Sequence, residues 1–236
     1  MRNGDLVNSP ATVDPDYRPH DLLWLDDASA LIFSSVPPSW ITPEWLAVAP
    51  VVVRRATLVD ATQVPVGLRG AMRSERCAAR LAACHVVRVL KPEEIARSAA
   101  GSTRVRESPL ACLRTLARLG PALDGLPLAW GVTGGVGFSL ASGLDVLRPD
   151  SDLDLILRAP LATDADALHA VAQLLRDLEA RVDAQVETPF GAFALQEWAR
   201  TGGPVLLKTN RGPVLTHDAW SPPDSASFDT ACSLIA

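Results

Sequence analysis

The chain lacks any apolar run long enough to cross a bilayer. Its longest, Trp45 to Val53, is nine residues with a proline inside it, against the roughly 20 that a membrane-spanning helix needs. The opening residues MRNGDLVNSPATVDPD are polar and acidic, with no apolar h-region. The expectation is therefore a protein with neither secretion signal nor membrane anchor, at work in the cytoplasm. Cysteine is scarce: Cys77, Cys84, Cys112 and Cys232 form no CxxC pair, and His85 beside Cys84 has no second half. Neither a zinc site nor a disulfide framework is expected, and small thiols in a reducing compartment are the plain reading. The isolated His20 and His85 and most of the six tryptophans read as structural. Repeats and low-complexity tracts are absent as well. What is present is a 236-residue chain with 48% hydrophobic and 21% charged residues. That length and composition suit one large or two small globular domains whose cores need no staples.

The formal net charge of −5 argues against a nucleic-acid partner, but the charge is unevenly distributed. Residues 54–106 hold eleven Arg and Lys against four acids, whereas residues 107–236 hold nine basic and sixteen acidic residues. A basic half suited to a polyanion precedes an acidic half suited to a divalent cation.

The first 15 or so residues read as disordered. HDLLWLD (20–26) and APVVVRRA (49–56) read as strands, and WITPEWLA as a helix opened by Pro43 and capped by Thr42. A strand-to-loop transition at 63–70 leads into a helix over AMRSERCAARLAA. HVVRVLK reads as a strand and PEEIAR as a helix opened by Pro92. The small, polar stretch 98–107 is the candidate linker between residues 1–104 and 105–236. Beyond it come a helix over 108–120 with Ser108 as N-cap, a strand LAWGVTGG ending in glycines, and a short helix closed by Gly143. Strands over 151–158, 181–187 and 205–209, the last of the chain, alternate with helices over 163–180 and 191–200. The fold class expected is α/β in two domains, the C-terminal one a mixed sheet with flanking helices.

Asp152 and Asp154 share one face of an alternating strand, about 7 Å apart. Two ionised carboxylates so placed repel each other unless a cation lies between them, and hard Mg²⁺ takes such oxygen ligands together with substrate phosphates. Asp183 stands on the next alternating strand and completes a three-carboxylate cluster if the two strands are neighbours. Gly134 and Gly135, between a strand and a helix, let backbone N–H groups approach phosphate oxygens. A lone DxD or a lone glycine pair is commonplace; their order and strand placement together point to a site.

The pattern Gly134-Gly135, Asp152-Leu153-Asp154 and Val182-Asp183-Ala184 resembles the nucleotidyltransferase superfamily, with Gly135 where that superfamily often has serine. Over nearly the whole chain, the segments HDLLWL, VPVGLRGAMRSERCAAR, SGLDVLRPDSDLDLIL, VDAQVETPFGAFALQEWAR and LLKTNRGPVL are similar to the phosphoribosyl-dephospho-CoA transferase family. That resemblance implies transfer of a phosphoribosyl-dephospho-CoA group from triphosphoribosyl-dephospho-CoA to a serine of the apo acyl carrier subunit of malonate decarboxylase, with release of pyrophosphate. Asp152 and Asp154 would then hold a two-metal Mg²⁺ clamp, and Asp183 would bind metal or accept the serine proton. Arg69, Arg73, Arg76 and Arg80 fall at i, i+4, i+7 and i+11, one face of a helix. They form either a solvated face or an anion site; on the second reading Arg69, Arg73 and Arg76 meet the donor's phosphates. Lys208, in the apolar strand VLLKT, either contacts phosphate or pairs with the acids. Two rival functions stand beside this one: a nucleotidyltransferase using an ordinary NTP, and a carrier-protein-binding module without turnover.

Overall fold

The computed structural model describes residues 17–58 and 60–223; the N-terminal segment read as disordered and Cys232 lie outside them. The chain divides between Val89 and Leu90 into two compact units. No helix among the described residues is long and apolar enough to cross a membrane.

The first unit is built on one sheet. Its elements are β1 (Leu22–Leu25), β2 (Leu31–Ile32), α1 (Pro43–Leu46), β3 (Val51–Val53), β4 (Gln63–Arg69), β5 (Arg76–Ala82) and β6 (Val86–Leu90), with the strands in the order β2-β5-β4-β3-β1-β6. In β4, Val64, Val66 and Leu68 alternate with the half-buried Gln63, Pro65, Gly67 and Arg69, as one buried sheet face requires. Their apolar side joins Leu23, Val51 and Leu81 in a single core. Helix α1 starts as read, with Thr42 Oγ1 accepting from the Trp45 amide at 3.2 Å and Pro43 in its first turn. His85 is structural, its Nδ1 lying 2.9 Å from the Asp26 carboxylate.

The helix expected over 71–83 is not formed. Residues 76–82 are strand β5, joined to β4 as an antiparallel hairpin whose register runs from Gln63 opposite Ala82 to Arg69 opposite Arg76. Alanine, arginine and leucine favour helix locally. Ala79 and Leu81 nevertheless alternate with Arg76, Ala78 and Arg80, and burying that pair against β4 overrides propensity.

The second unit is a mixed sheet with flanking helices. It comprises α2 (Pro92–Ala100), α3 (Thr103–Arg106), α4 (Ala111–Asp124), β7 (Ala129–Val132), α5 (Gly134–Ser142), β8 (Leu153–Arg158), α6 (Ala165–Leu174), β9 (Val182–Thr188), β10 (Gly191–Ala194), α7 (Leu195–Thr201), β11 (Val205–Thr209) and β12 (Gly212–Thr216). The strands run β12-β11-β10-β9-β8-β7, with β8 and β9 parallel and the neighbours on either side antiparallel. The stretch 98–107 is not an open linker: it holds the end of α2 and all of α3. Helix α4 begins later than expected and runs past Gly120; Ser108 Oγ accepts from the Leu110 amide at 3.2 Å instead of capping it. The first residues of the helix expected over 191–200 form β10, and β11 is followed by a further strand, β12.

One face of this sheet is largely apolar. Leu153, Leu155, Leu157, Ala184, Val186, Phe193, Leu207 and Val214 are all buried. Helix α7 packs on that side, its Trp198 ring 6.2 Å from Phe193 and 4.4 Å from His169 of α6. Helix α2 lies on the opposite side, so close to β7 that a Cβ at Gly131 would stand 2.5 Å from the Pro92 backbone. Gly131→Ala is therefore expected to destabilise the protein by about 1–3 kcal/mol through overpacking, read as a lowered midpoint of urea unfolding. Gly101→Ala, where nothing lies within 4 Å of the added carbon, should be neutral or slightly stabilising.

Candidate active site

Strand β7 turns directly into α5 at Thr133 and Gly134, and this turn lies against β8. The Thr133 amide donates to the Asp154 carbonyl at 2.9 Å, continuing the β7–β8 ladder by one residue. Gly134 then takes φ +59°, and a Cβ there would sit 1.7 Å from the Asp154 carboxylate. Both the backbone conformation and the approach favour glycine, and any side chain here would displace the Asp154 carboxylate. Gly135 follows as the second residue of α5. The Thr133 side chain makes no capping hydrogen bond, and first-turn amides of a helix have no intrahelical acceptor. A set of N–H donors thus stands beside a carboxylate.

The parallel register of β8 and β9 places Asp154 directly opposite Asp183. Neighbouring strands run about 4.8 Å apart, so the two half-buried side chains share one face at one level. Asp152 lies just ahead of β8, delivered by a turn in which Ser151 Oγ accepts from the Arg148 amide at 2.9 Å and the Ser151 amide donates to the Arg148 carbonyl at 3.0 Å. Burial raises the Cys112 thiol pKa, and the Asp152 charge pushes it the same way, which locates Asp152 near α4. Among the described residues no three His, Cys, Asp or Glu side chains form a ready metal-binding group. The donor set nonetheless suits Mg²⁺, which uses one or two carboxylates plus waters and substrate phosphates in preference to an all-protein cage. Asp154 and Asp183 form such a pair.

The arginines belong to the first unit and meet by a different route from the expected one. Arg69 and Arg76 are the last cross-strand pair of the β4–β5 hairpin, Arg73 lies in its loop, and Arg80 is on the same face of β5 as Arg76. Burial and the Arg73 charge both lower the Arg76 guanidinium pKa. The loop is tied by Glu75, whose carboxylate accepts from the Met72 amide at 2.8 Å. Arg54, which the sequence reading passed over, lays its stem across Gly67 on this face; a Cβ at Gly67 would meet its Cδ at 3.3 Å. Lys208 is exposed on β11 opposite Ala192, itself opposite Glu187. It therefore lies on the acid-bearing face, level with Glu187 and two strands from it, not in the Asp154–Asp183 row.

The acid-bearing face also holds an ion-pair network absent from the sequence reading. Arg158, 9% exposed, donates through Nε to Glu93 of α2 at 2.8 Å and through Nη1 to Glu187, its register partner on β9. Glu187 thereby ties β9 to β8. Trp130 is a core residue, 7% exposed, with Nε1 donating to Asp124 at 2.9 Å.

The profile of the phosphoribosyl-dephospho-CoA transferase MdcG N-terminal domain matches residues 18–92, and that of its C-terminal domain matches residues 94–219. Curated proteins named phosphoribosyl-dephospho-CoA transferase are similar along most of their length. The one from Klebsiella pneumoniae strain 342 is 42% identical over 205 residues, covering 86% of this chain and 96% of its own. That from Pseudomonas syringae pv. tomato is 43% identical over 202 residues, covering 86% and 92%, and that from Azotobacter vinelandii 42% over 207, covering 86% and 94%. No solved structure matches.

Removing one partner of a buried ion network leaves the others uncompensated, at about 3–5 kcal/mol. Arg158→Met is expected to lose stability of that order in urea unfolding. Arg114→Met, at the exposed pair of Arg114 with Glu179, should lose far less.

Proposed function

Since the chain belongs to the phosphoribosyl-dephospho-CoA transferase family, and is by that membership a transferase, we propose that it moves the phosphoribosyl-dephospho-CoA group from triphosphoribosyl-dephospho-CoA to a serine of the apo acyl carrier subunit of malonate decarboxylase. The observation that supports this chemistry best is the Asp154–Asp183 pair lying against the uncapped start of α5 at Gly134. In the reaction the serine oxygen forms a bond to the α-phosphorus, and the bond from that phosphorus to the leaving pyrophosphate breaks. The serine proton passes to Asp183 or to water.

The residues divide this work by chemistry. First-turn amides at Gly134 and Gly135 donate to phosphate oxygens, where the helix dipole favours negative charge. Asp152, Asp154 and Asp183 are the groups that would hold Mg²⁺, which when bound neutralises the triphosphate and the departing pyrophosphate. Arg69, Arg73 and Arg76 are the cations that this reading assigns to the donor phosphates, and Lys208 offers a further cation on the acid-bearing face. Such transfer asks little covalent chemistry of the protein and much positioning and electrostatics. The cytoplasm is the setting that this reading assigns.

The test is a mass measurement on the apo carrier subunit after incubation with the protein, Mg²⁺ and triphosphoribosyl-dephospho-CoA. A gain equal to the phosphoribosyl-dephospho-CoA group is expected. It should slow by about 10²-fold or more in Asp154→Asn and vanish with EDTA. An unmodified carrier under the complete conditions would sink the reading and bring an ordinary NTP forward as donor.

A further inference from the structure

A cavity of 430 Å³ lies in the second unit, walled by α3, the start of α4, α5 and the loop that follows α5. Its size falls within the 300–1,000 Å³ of ordinary small-molecule sites. Leu110, Leu113 and Leu147 supply apolar surface; Arg104, Glu107 and Asp145 supply charge. These three charged side chains enter no ion pair among the described residues. Ser139 contributes a hydroxyl whose proton is given to the Leu144 carbonyl at 2.7 Å, leaving its oxygen able to accept. Two carboxylates against one guanidinium disfavour a phosphate here. Among the described residues no aromatic side chain lines the cavity, so they offer no platform on which to stack a base. What it suits is an uncharged chain with alternating donors, acceptors and apolar carbons.

The chain leads from the cavity walls to the acids. Leu113 on its wall follows Cys112, whose thiol feels the Asp152 charge. Ser139 stands five residues along α5 from Gly134, about 7.5 Å at 1.5 Å per residue. The loop bearing Asp145 and Leu147 leads straight to Asp152.

On the transferase reading above, on which this inference rests, we propose that the cavity seats the pantetheine arm of the dephospho-CoA portion. That arm is uncharged, with two amides, a hydroxyl and a gem-dimethyl group. Its N–H groups donate to Glu107 and Asp145, its carbonyls accept from Arg104, and its methyl groups rest on the three leucines. The site selects a CoA-derived donor over a plain nucleotide, because a nucleotide leaves the cavity unfilled.

Dephospho-CoA and ADP, which is dephospho-CoA without the pantetheine arm, serve as probes in titration calorimetry. Two variants are compared with the unaltered protein: Thr103→Trp, which fills the cavity from its exposed rim, and the double change Glu107→Ala, Asp145→Ala. Circular dichroism checks the fold of each, and the alanine pair decides the matter if the tryptophan variant misfolds. Dephospho-CoA affinity is expected to fall at least tenfold in the variants while ADP affinity holds. If the unaltered protein modifies the carrier but the variants bind dephospho-CoA as tightly as it does, the cavity assignment is overturned and the transferase reading stands. If the unaltered protein neither modifies the carrier nor prefers dephospho-CoA to ADP, the substrate reading falls, and this inference with it.

Discussion

The site depends on one pairing, the parallel alignment of β8 with β9 inside a sheet whose other neighbours run antiparallel. A parallel pair needs a long crossover, here the segment containing α6, and that crossover brings two aspartates from distant parts of the sequence onto one row. The alignment is held from both sides. Leu153, Leu155, Ala184 and Val186 are buried on one face, so a one-residue slip of β9 would turn Val186 outward and Asp183 inward. On the other face Arg158 and Glu187 are register partners joined by an ion pair, four residues along each strand from the aspartates. Apolar burial selects the face, and the ion pair favours one register on it.

The close contact at Gly134 completes this arrangement. With the Asp154 carboxylate where a side chain would stand, the start of α5 approaches the acids as nearly as a backbone can. Like charges gathered on a sheet face would ordinarily disfavour a folded state. Here a helix N-terminus, with its partial positive charge, is set beside them before any cation or substrate arrives.

The parts of the molecule legible in the sequence are those whose information is local. The period-two alternation of SDLDLILR and RVDAQVE identifies two strands and the face on which each aspartate lies; the glycine pair identifies a turn; and Pro43 after Thr42 marks α1. The hairpin was hidden because RCAARLA combines strand periodicity with residues that favour helix, and only its pairing with β4 decides between them. The arginines still gather, through cross-strand register in place of a helical repeat. Arg158 was hidden for a different reason. Its partners Glu93 and Glu187 lie 65 and 29 residues away, and no local pattern announces a contact of that range. The cavity is of the same kind, since its walls come from two stretches, 103–113 and 139–147, that no local pattern brings together.

The Arg158 network also bears on how the second unit opens. Glu93 is in the first turn of α2, while Arg158 and Glu187 are in the parallel strands β8 and β9, so fraying the start of this helix strands a nearly buried guanidinium next to one remaining carboxylate. Pro92 pressed against Gly131 adds a steric bond between the same elements. Helix α2, though it stands at the very start of its unit, therefore belongs to the cooperative block formed by β7, β8 and β9 rather than to a loosely attached border. Its amides are therefore expected to exchange with solvent as slowly as those of the sheet it is tied to.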